Sequence, residues 1–150
     1  MLVRDAMTME VHTVDATENL HKAAETMRQH GIRHVPIIEH GRVVGVISTR
    51  DVEGFASFCS WLEISEERYH EYLERPLPAV LRTRFREGLM STRPDEPLVA
   101  AARRMAEHRL TALPVVDDDG RPVGMLSYVD VLVRVADAID DKHDKGASAA

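Results

Sequence analysis

The sequence predicts an α+β fold that contains two copies of one small unit, joined by a helical connector. Residues 45–52 read GVISTRDV and residues 124–131 read GMLSYVDV, so a glycine, two apolar residues and a Ser-x-x-Asp motif recur in the same order. The longer segments 18–52 and 96–131 align throughout, with one extra residue in the second copy. The distance between the copies is too long for a solenoid repeat, so a duplicated unit is the simpler interpretation.

Within each copy, the pattern predicts a helix, two strands and a second helix. Apolar residues recur at helical spacing in the sets Leu20, Ala23, Ala24 and Met27, and Leu98, Ala101, Ala102 and Met105. Thr17 and Asp95 are the expected N-caps of these helices. Gly31 is expected to end the first helix, whereas Arg109 at the matching position requires another ending. Two apolar runs around a turn with glycine then predict a hairpin, and a short strand at 11–14 precedes the first helix.

The predicted organisation is a first repeat at 1–55, a helical connector at 56–85, a second repeat at 86–141 and a flexible tail at 142–150. Ser65 is the expected start of a connector helix. Three alternating arginines follow, Arg82, Arg84 and Arg86. They suit a solvated surface, or contact with phosphate or an acidic partner. The apolar row Phe55, Phe58, Trp61 and Leu62 favours a core or a dimer interface.

The composition indicates a cytoplasmic protein with a hydrophobic core. The 150 residues are 44% hydrophobic and 29% charged, which is sufficient apolar material for a core. The formal net charge of −6 makes a general nucleic-acid binder unlikely. A single cysteine, Cys59, excludes an intramolecular disulfide and fits a reducing compartment. No leader and no long apolar span are evident, so no membrane contact is expected.

The Ser-x-x-Asp motifs allow two interpretations that are compatible with each other. Ser48 with Asp51, and Ser127 with Asp130, can form a capping box at a helix start. A helix N-terminus is also an anion site, and an acceptor-only carboxylate suits the vicinal hydroxyls of a ribose. Repetition in matching contexts favours a ligand-binding role in addition to the cap.

Outside these motifs, Arg33 and His34 form the most suggestive polar pair. The pair Arg33-His34 can grip phosphate in a pH-sensitive way, or belong to a solvated loop. The eight histidines lack metal-ligand spacing, so no metal site is expected. No nucleophile, base and orienting group occur together, so the protein is not expected to be an enzyme.

The ordered set IRHVPII, glycine, VVGVIS-x-x-D, and its second copy ALPVV, DG, PVGMLS-x-x-D, resembles the CBS domain. Two such copies in one chain resemble the CBS pair, or Bateman module. The resemblance implies βαββα units that pack through their sheets about a pseudo-twofold axis, with two clefts between them. It also implies a homodimer that senses an adenosyl ligand (AMP, ADP, ATP or S-adenosylmethionine) and regulates a separate effector protein. No obligatory cofactor is implied.

The resemblance carries over to individual residues at matching motif positions. Asp51 and Asp130 match the aspartate that binds the ribose, and Ser48 and Ser127 match the hydroxyl that faces ribose or phosphate. The residues around the strand proline line the ligand in both copies: Arg33, His34 and Pro36, and Thr111, Ala112 and Pro114. Thr13 and Val14 match the strand that contacts the base.

The resemblance implies two clefts, and the departure of the second copy from the pattern predicts one competent site or two unequal ones. One would join Arg33 and His34 to Ser127 and Asp130. The other would join Thr111 and Ala112 to Ser48 and Asp51, and without charge in its Thr-Ala pair it would tolerate an uncharged or less phosphorylated ligand. The chain between Met90 and Leu98 is shorter than that between Met7 and Leu20, so the second copy lacks most of its first strand.

Two alternatives remain at this point. The same fold with closed clefts would be a non-sensing dimerisation or interaction module that uses Ser-x-x-Asp only as caps. A nucleic-acid-binding CBS protein would instead use the connector arginines, and its affinity would fall steeply with salt.

Overall fold

The structure is a computed structural model that describes residues 1–77 and 89–147. The first copy consists of β1 (Val14–Asp15), α1 (Leu20–His30), β2 (His34–Glu39), β3 (Arg42–Ser48) and α2 (Thr49–Trp61). Helix α3 (Glu66–Leu73) follows. The second copy consists of α4 (Leu98–Glu107), β4 (Ala112–Val116), β5 (Pro122–Ser127) and α5 (Tyr128–Ala147), and a 3-10 turn at Val3–Asp5 begins the chain.

The two sheets confirm the duplication and its asymmetry. In the first copy β1 pairs parallel with β2, and β2 pairs antiparallel with β3. In the second copy β4 and β5 form an antiparallel pair, with a register shift that matches the one in β2. Where the first copy has β1, the described part of the second copy has a single parallel bridge from Thr92 to Val115. The first strand of the second copy is therefore reduced to one residue before α4, in agreement with the prediction.

The starts of α1 and α4 differ from the prediction. Asn19 caps α1, because its side chain accepts a hydrogen bond from the Lys22 amide at 2.9 Å. Thr17, the predicted cap, instead donates to the Asp15 carboxylate in the preceding turn. Helix α4 follows Pro97 without a side-chain cap, so Asp95 does not serve that role either. Asparagine is a better cap than threonine, and its position next to the first helical residue decides the competition.

The helix ends of α1 and α4 have the same geometry despite their different residues. Gly31 ends α1 with a φ of 63°, and Arg109 follows α4 with a φ of 54°. The next amide bonds back to the helix in both copies, from Ile32 to the Met27 carbonyl at 3.0 Å and from Leu110 to the Met105 carbonyl at 2.8 Å. The second helix thus ends through a left-handed arginine where the first uses glycine.

Each copy has its own hydrophobic core, but the chain crosses between them. Val3 is fully buried in the second core, although it belongs to the N-terminal segment. Thr8 pairs with Met125 through two backbone hydrogen bonds of 2.9 Å. Gly124 permits this contact, because a Cβ there would lie 2.7 Å from the Met7 sulfur. Leu77, from the predicted connector, is fully buried in the first core.

Several predicted boundaries fall inside elements of the structure. Helix α2 continues past residue 55 to Trp61, and Ser65 caps α3 as predicted. Helix α5 runs to Ala147, so residues 142–147 of the predicted flexible tail are helical. The connector arginines Arg82, Arg84 and Arg86 lie outside the described residues. Within the described ranges, no helix combines the length and apolar composition needed to cross a bilayer.

The copies meet directly along β3 and the second hairpin. The Val43 amide donates to the Gly120 carbonyl at 2.9 Å, which joins a strand of one copy to the turn of the other. Backbone from both copies therefore flanks the space that lies between them.

Candidate functional site

Both Ser-x-x-Asp motifs form capping boxes of the same geometry. The Asp51 carboxylate accepts hydrogen bonds from the Ser48 amide at 2.8 Å and the Ser48 hydroxyl at 2.6 Å. The corresponding distances from Ser127 to Asp130 are 2.7 and 2.6 Å. The structural role of the motif is thus present in both copies, at the starts of α2 and α5.

The first motif also lies on a cleft between the two copies. The cleft has a volume of about 450 Å³, within the range typical of small-molecule sites. The first copy contributes Ser48 and Asp51, and the second contributes Thr111 and Ala112, which is the combination predicted for one of the two clefts. The described lining is His34, Gly45, Val46, Ser48, Arg50, Asp51, Leu89, Met90, His108, Arg109, Leu110, Thr111, Ala112 and Pro114.

His34 links the two copies across this cleft. Its Nε2 atom lies 2.8 Å from the Thr111 hydroxyl. Burial lowers the pKa of the imidazole below its usual range; the Asp51 carboxylate opposes that shift and Arg33 adds to it. A neutral imidazole has one donor and one acceptor nitrogen, so it can bond to the hydroxyl in either tautomer. The sequence prediction placed His34 opposite Ser127 and Asp130, whereas the structure turns its ring toward Thr111.

The cleft carries more positive charge than the sequence predicted. Arg50 and Arg109 line it, and His108 lies beside Arg109. Among the described lining residues, Asp51 is the only acid. The expectation that this cleft tolerates an uncharged or less phosphorylated ligand rested on the Thr111-Ala112 pair alone, whereas the cations come from a helix start and a helix end.

Sequence reasoning missed these cations, although each left a signal. Arg50 lies inside the Ser-x-x-Asp motif, directly before Asp51. Arg109 replaces a helix-ending glycine, and a bulky residue in the left-handed region is uncommon enough to mark a position of interest.

The remaining predicted residues lie away from the described lining of this cleft. Ser127 and Asp130 cap α5. Arg33 is exposed, and its carbonyl accepts the Thr49 amide. Val14 is buried in the first core with its strand paired to Ile37. Thr13 precedes it, and Pro36 is fully buried in β2.

A metal centre has no support in the part of the chain that the structure describes. Across residues 1–77 and 89–147, no three His, Cys, Asp or Glu side chains come together as ligands would.

Comparison with known proteins identifies the duplicated unit. The sequence profile of the CBS domain matches residues 3–55 and again residues 85–137. The chain belongs to the CBS domain family. The two matches correspond to the two copies of the repeat, so the molecule is a tandem CBS pair.

Relatives and solved structures of other CBS proteins extend this comparison. The chain is 33% identical over 131 residues to a homoserine O-acetyltransferase of Methanococcoides burtonii, and the match covers 86% of this chain but only 23% of that protein. The crystal structure of CBSX2 in complex with AMP has a TM-score of 0.70 and 25% identity, covering 93% of this chain and 98% of that one. The CBS domain pair of protein MJ0100, in complex with 5′-methylthioadenosine and S-adenosyl-L-methionine, has a TM-score of 0.73 at 24% identity, covering 92% and 98%.

Proposed function

We propose that this CBS pair is a regulatory module that binds an adenosyl ligand in the cleft between its two repeats. The observation that carries the proposal is the composition of the cleft: Ser48 and Asp51 from one repeat line the same cavity as Thr111 and Ala112 from the other. A ligand held there contacts both repeats at once. Its binding energy would therefore depend on how the repeats are positioned.

The lining suits the parts of such a ligand. A carboxylate accepts hydrogen bonds only, so Asp51 would receive the ribose hydroxyls. Gly45, Val46, Ala112 and Pro114 provide an apolar wall of the kind that accepts an adenine ring. CBSX2, a CBS protein of similar fold, is known in complex with AMP, which supports the same ligand class here.

The module would act on a partner rather than perform chemistry itself. A ligand that prefers one arrangement of the repeats shifts the population toward it. The acetyltransferase relative is consistent with CBS pairs accompanying an effector, since this chain spans only 23% of it. We propose that the effector here is a separate protein that responds to the position of the repeats.

The second predicted cleft belongs to the same proposal in a weaker form. Ser127 and Asp130 would hold a ribose there, with Arg33, Thr13 and Val14 nearby. This cleft and the one described above would differ in affinity. The closed-cleft alternative has less support, because the described residues leave a cavity of about 450 Å³ at Ser48 and Asp51. The nucleic-acid alternative has no specific observation in its favour.

A homodimer is the proposed assembly, with α5 at the interface. Tyr128, Leu132, Val135 and Ile139 are all about half exposed and repeat at the 4-3-4 spacing of a helix-packing seam. Leu132→Glu should convert the dimer to a monomer in light scattering coupled to size exclusion. The same glutamate at exposed Arg28 of α1 is the control. A wild-type protein that elutes as a monomer contradicts the proposal.

The ligand proposal is tested with a matched pair of variants. Asp51→Asn and Asp130→Asn remove the carboxylate from equivalent capping boxes, but of these two residues only Asp51 is in the described lining of the cleft. Calorimetric titration with AMP should show a loss of affinity of about tenfold or more in Asp51→Asn, the size expected for a hydrogen bond to a charged group. Asp130→Asn should leave this site unchanged. If wild-type protein binds no adenosyl compound below millimolar concentration, or if neither variant alters affinity, the motif serves only as a cap.

A further inference from the structure

Resting on the proposed function, we infer that this cleft selects an adenosyl ligand that carries a phosphate, and that Arg109 is the residue that makes the selection. The adenosyl compounds fall into three electrostatic classes. AMP, ADP and ATP are anionic, adenosine and 5′-methylthioadenosine are uncharged, and S-adenosylmethionine carries a sulfonium cation next to its ribose. The charge of the cleft separates these classes.

The described lining favours an anion. Arg50 and Arg109 each contribute a permanent positive charge, against one carboxylate at Asp51. That carboxylate already accepts hydrogen bonds from the Ser48 amide and the Ser48 hydroxyl. A phosphate entering the cleft would meet guanidinium groups from both repeats, because Arg50 lies at the start of α2 and Arg109 at the end of α4. A sulfonium in the same place would be repelled by them.

Arg109 holds its place in the cleft at a conformational cost. Its φ of 54° lies in the left-handed region, which is disfavoured for residues other than glycine, asparagine and aspartate. The turn itself requires this conformation, since Gly31 takes a φ of 63° at the matching position and the same return hydrogen bond follows. Glycine would therefore satisfy the fold at lower cost. Because Arg109 lines the cavity, we attribute the arginine at this position to what its guanidinium does there.

The chemistry of the guanidinium fits this role. It presents several N–H donors in a fixed fork that matches two phosphate oxygens, and it stays charged at every physiological pH. Uncharged nucleosides offer no group for this fork. The selection would thus act on the 5′ substituent, while Asp51 and the apolar wall recognise the adenosine portion that all three classes share.

The experiment compares AMP, adenosine, 5′-methylthioadenosine and S-adenosylmethionine by calorimetric titration of the full chain. Wild-type protein should bind AMP about tenfold to a hundredfold more tightly than adenosine, as expected for charge-assisted hydrogen bonds. S-adenosylmethionine should bind most weakly. Arg109→Gly should reduce AMP affinity by about tenfold, because only Arg50 is then left to contact the phosphate, with adenosine affinity unchanged.

Three variants distinguish a loss of phosphate selection from a loss of folding or of adenosyl binding. Arg109→Gly introduces the same residue that ends α1, so the turn is expected to persist. Arg109→Lys keeps a positive charge and should therefore retain part of the AMP preference. Arg103→Ala removes an exposed arginine of α4 outside the described lining and controls for net charge. If AMP, adenosine and 5′-methylthioadenosine bind equally, or if Arg109→Gly keeps the AMP preference, the inference fails while the adenosyl proposal stands. If none of the four binds at millimolar concentration, both fail.

Discussion

The left-handed residues that end α1 and α4 provide a stability test that needs no ligand. Gly31 and Arg109 have φ values of 63° and 54° in equivalent turns. A left-handed backbone costs a non-glycine residue about 1–2 kcal/mol. Part of the gain from removing this strain is lost, because glycine stabilises the unfolded chain by about 0.4–1 kcal/mol through its greater conformational entropy. Arg109→Gly should therefore stabilise the protein by about 0.5–1 kcal/mol.

The reciprocal substitution isolates the backbone contribution. No atom lies within 4 Å of a Cβ built on Gly31, so Gly31→Ala introduces no clash and should destabilise by about the same amount. Thermal unfolding should show these changes as opposite shifts of roughly 2–4 °C per kcal/mol for a chain of this size. A lower melting temperature for Arg109→Gly would refute the reasoning, because the guanidinium would then stabilise the ligand-free fold by more than its backbone costs.

Three further predictions concern a cap, a titrating residue and a close approach. Ser127→Ala removes the hydroxyl of the α5 capping box and should cost about 1 kcal/mol in urea unfolding; an unchanged midpoint would show that the box contributes nothing. His34→Gln tests the effect of burial on that side chain. Burial lowers the pKa of the folded imidazole, so its contribution to stability is present above the ordinary value of about 6.5 and is lost as the pH falls below it. The wild type should therefore lose more melting temperature than His34→Gln between about pH 7.5 and 5.5, and equal losses would contradict this. Gly124→Ala would place a methyl group 2.7 Å from the Met7 sulfur and 3.1 Å from the Thr8 carbonyl oxygen. It should destabilise by about 1–3 kcal/mol and expose the N-terminal segment to limited proteolysis. Gly54→Ala, in a helix with open space around it, should be neutral or stabilising, and a similar loss there would remove the steric explanation.

The fold was largely predictable from the sequence because the duplication repeats every local signal. The helix periodicity, the hairpin turns and the Ser-x-x-Asp caps occur twice, and the structure contains both sets. Local rules suffice for such elements, since each depends on residues within a few positions of one another. The weak first strand of the second copy was also visible, as a shortened segment before Leu98.

The packing of the N-terminal segment and of the connector could not be predicted from local patterns. Val3 packs with the second copy and Leu77 with the first, and no sequence pattern around either residue indicates which core it joins. Such contacts depend on how the copies meet in three dimensions. Gly124 provided the only local hint, since a glycine inside a strand often marks a close backbone approach.

The candidate site was predictable in its outline but not in its charge. Ser48, Asp51, Thr111 and Ala112 were expected to share a cleft, and the structure places all four in its lining. The side-chain direction of His34 is set by a hydrogen bond to the other copy, which no periodicity reveals. In the sequence, Arg109 stands out only as the residue at the position where glycine ends the first helix. Its place in the lining of the cleft depends on the three-dimensional arrangement of the two copies.

A crystal structure of the full chain grown with AMP tests the central claim most directly. We expect AMP between the two repeats, with its ribose hydroxyls on the Asp51 carboxylate, its adenine against Val46 and Ala112, and its phosphate on the Arg109 guanidinium. Density for AMP elsewhere on the surface, or a cleft that stays empty at millimolar AMP, would contradict an adenosyl site formed by both CBS repeats.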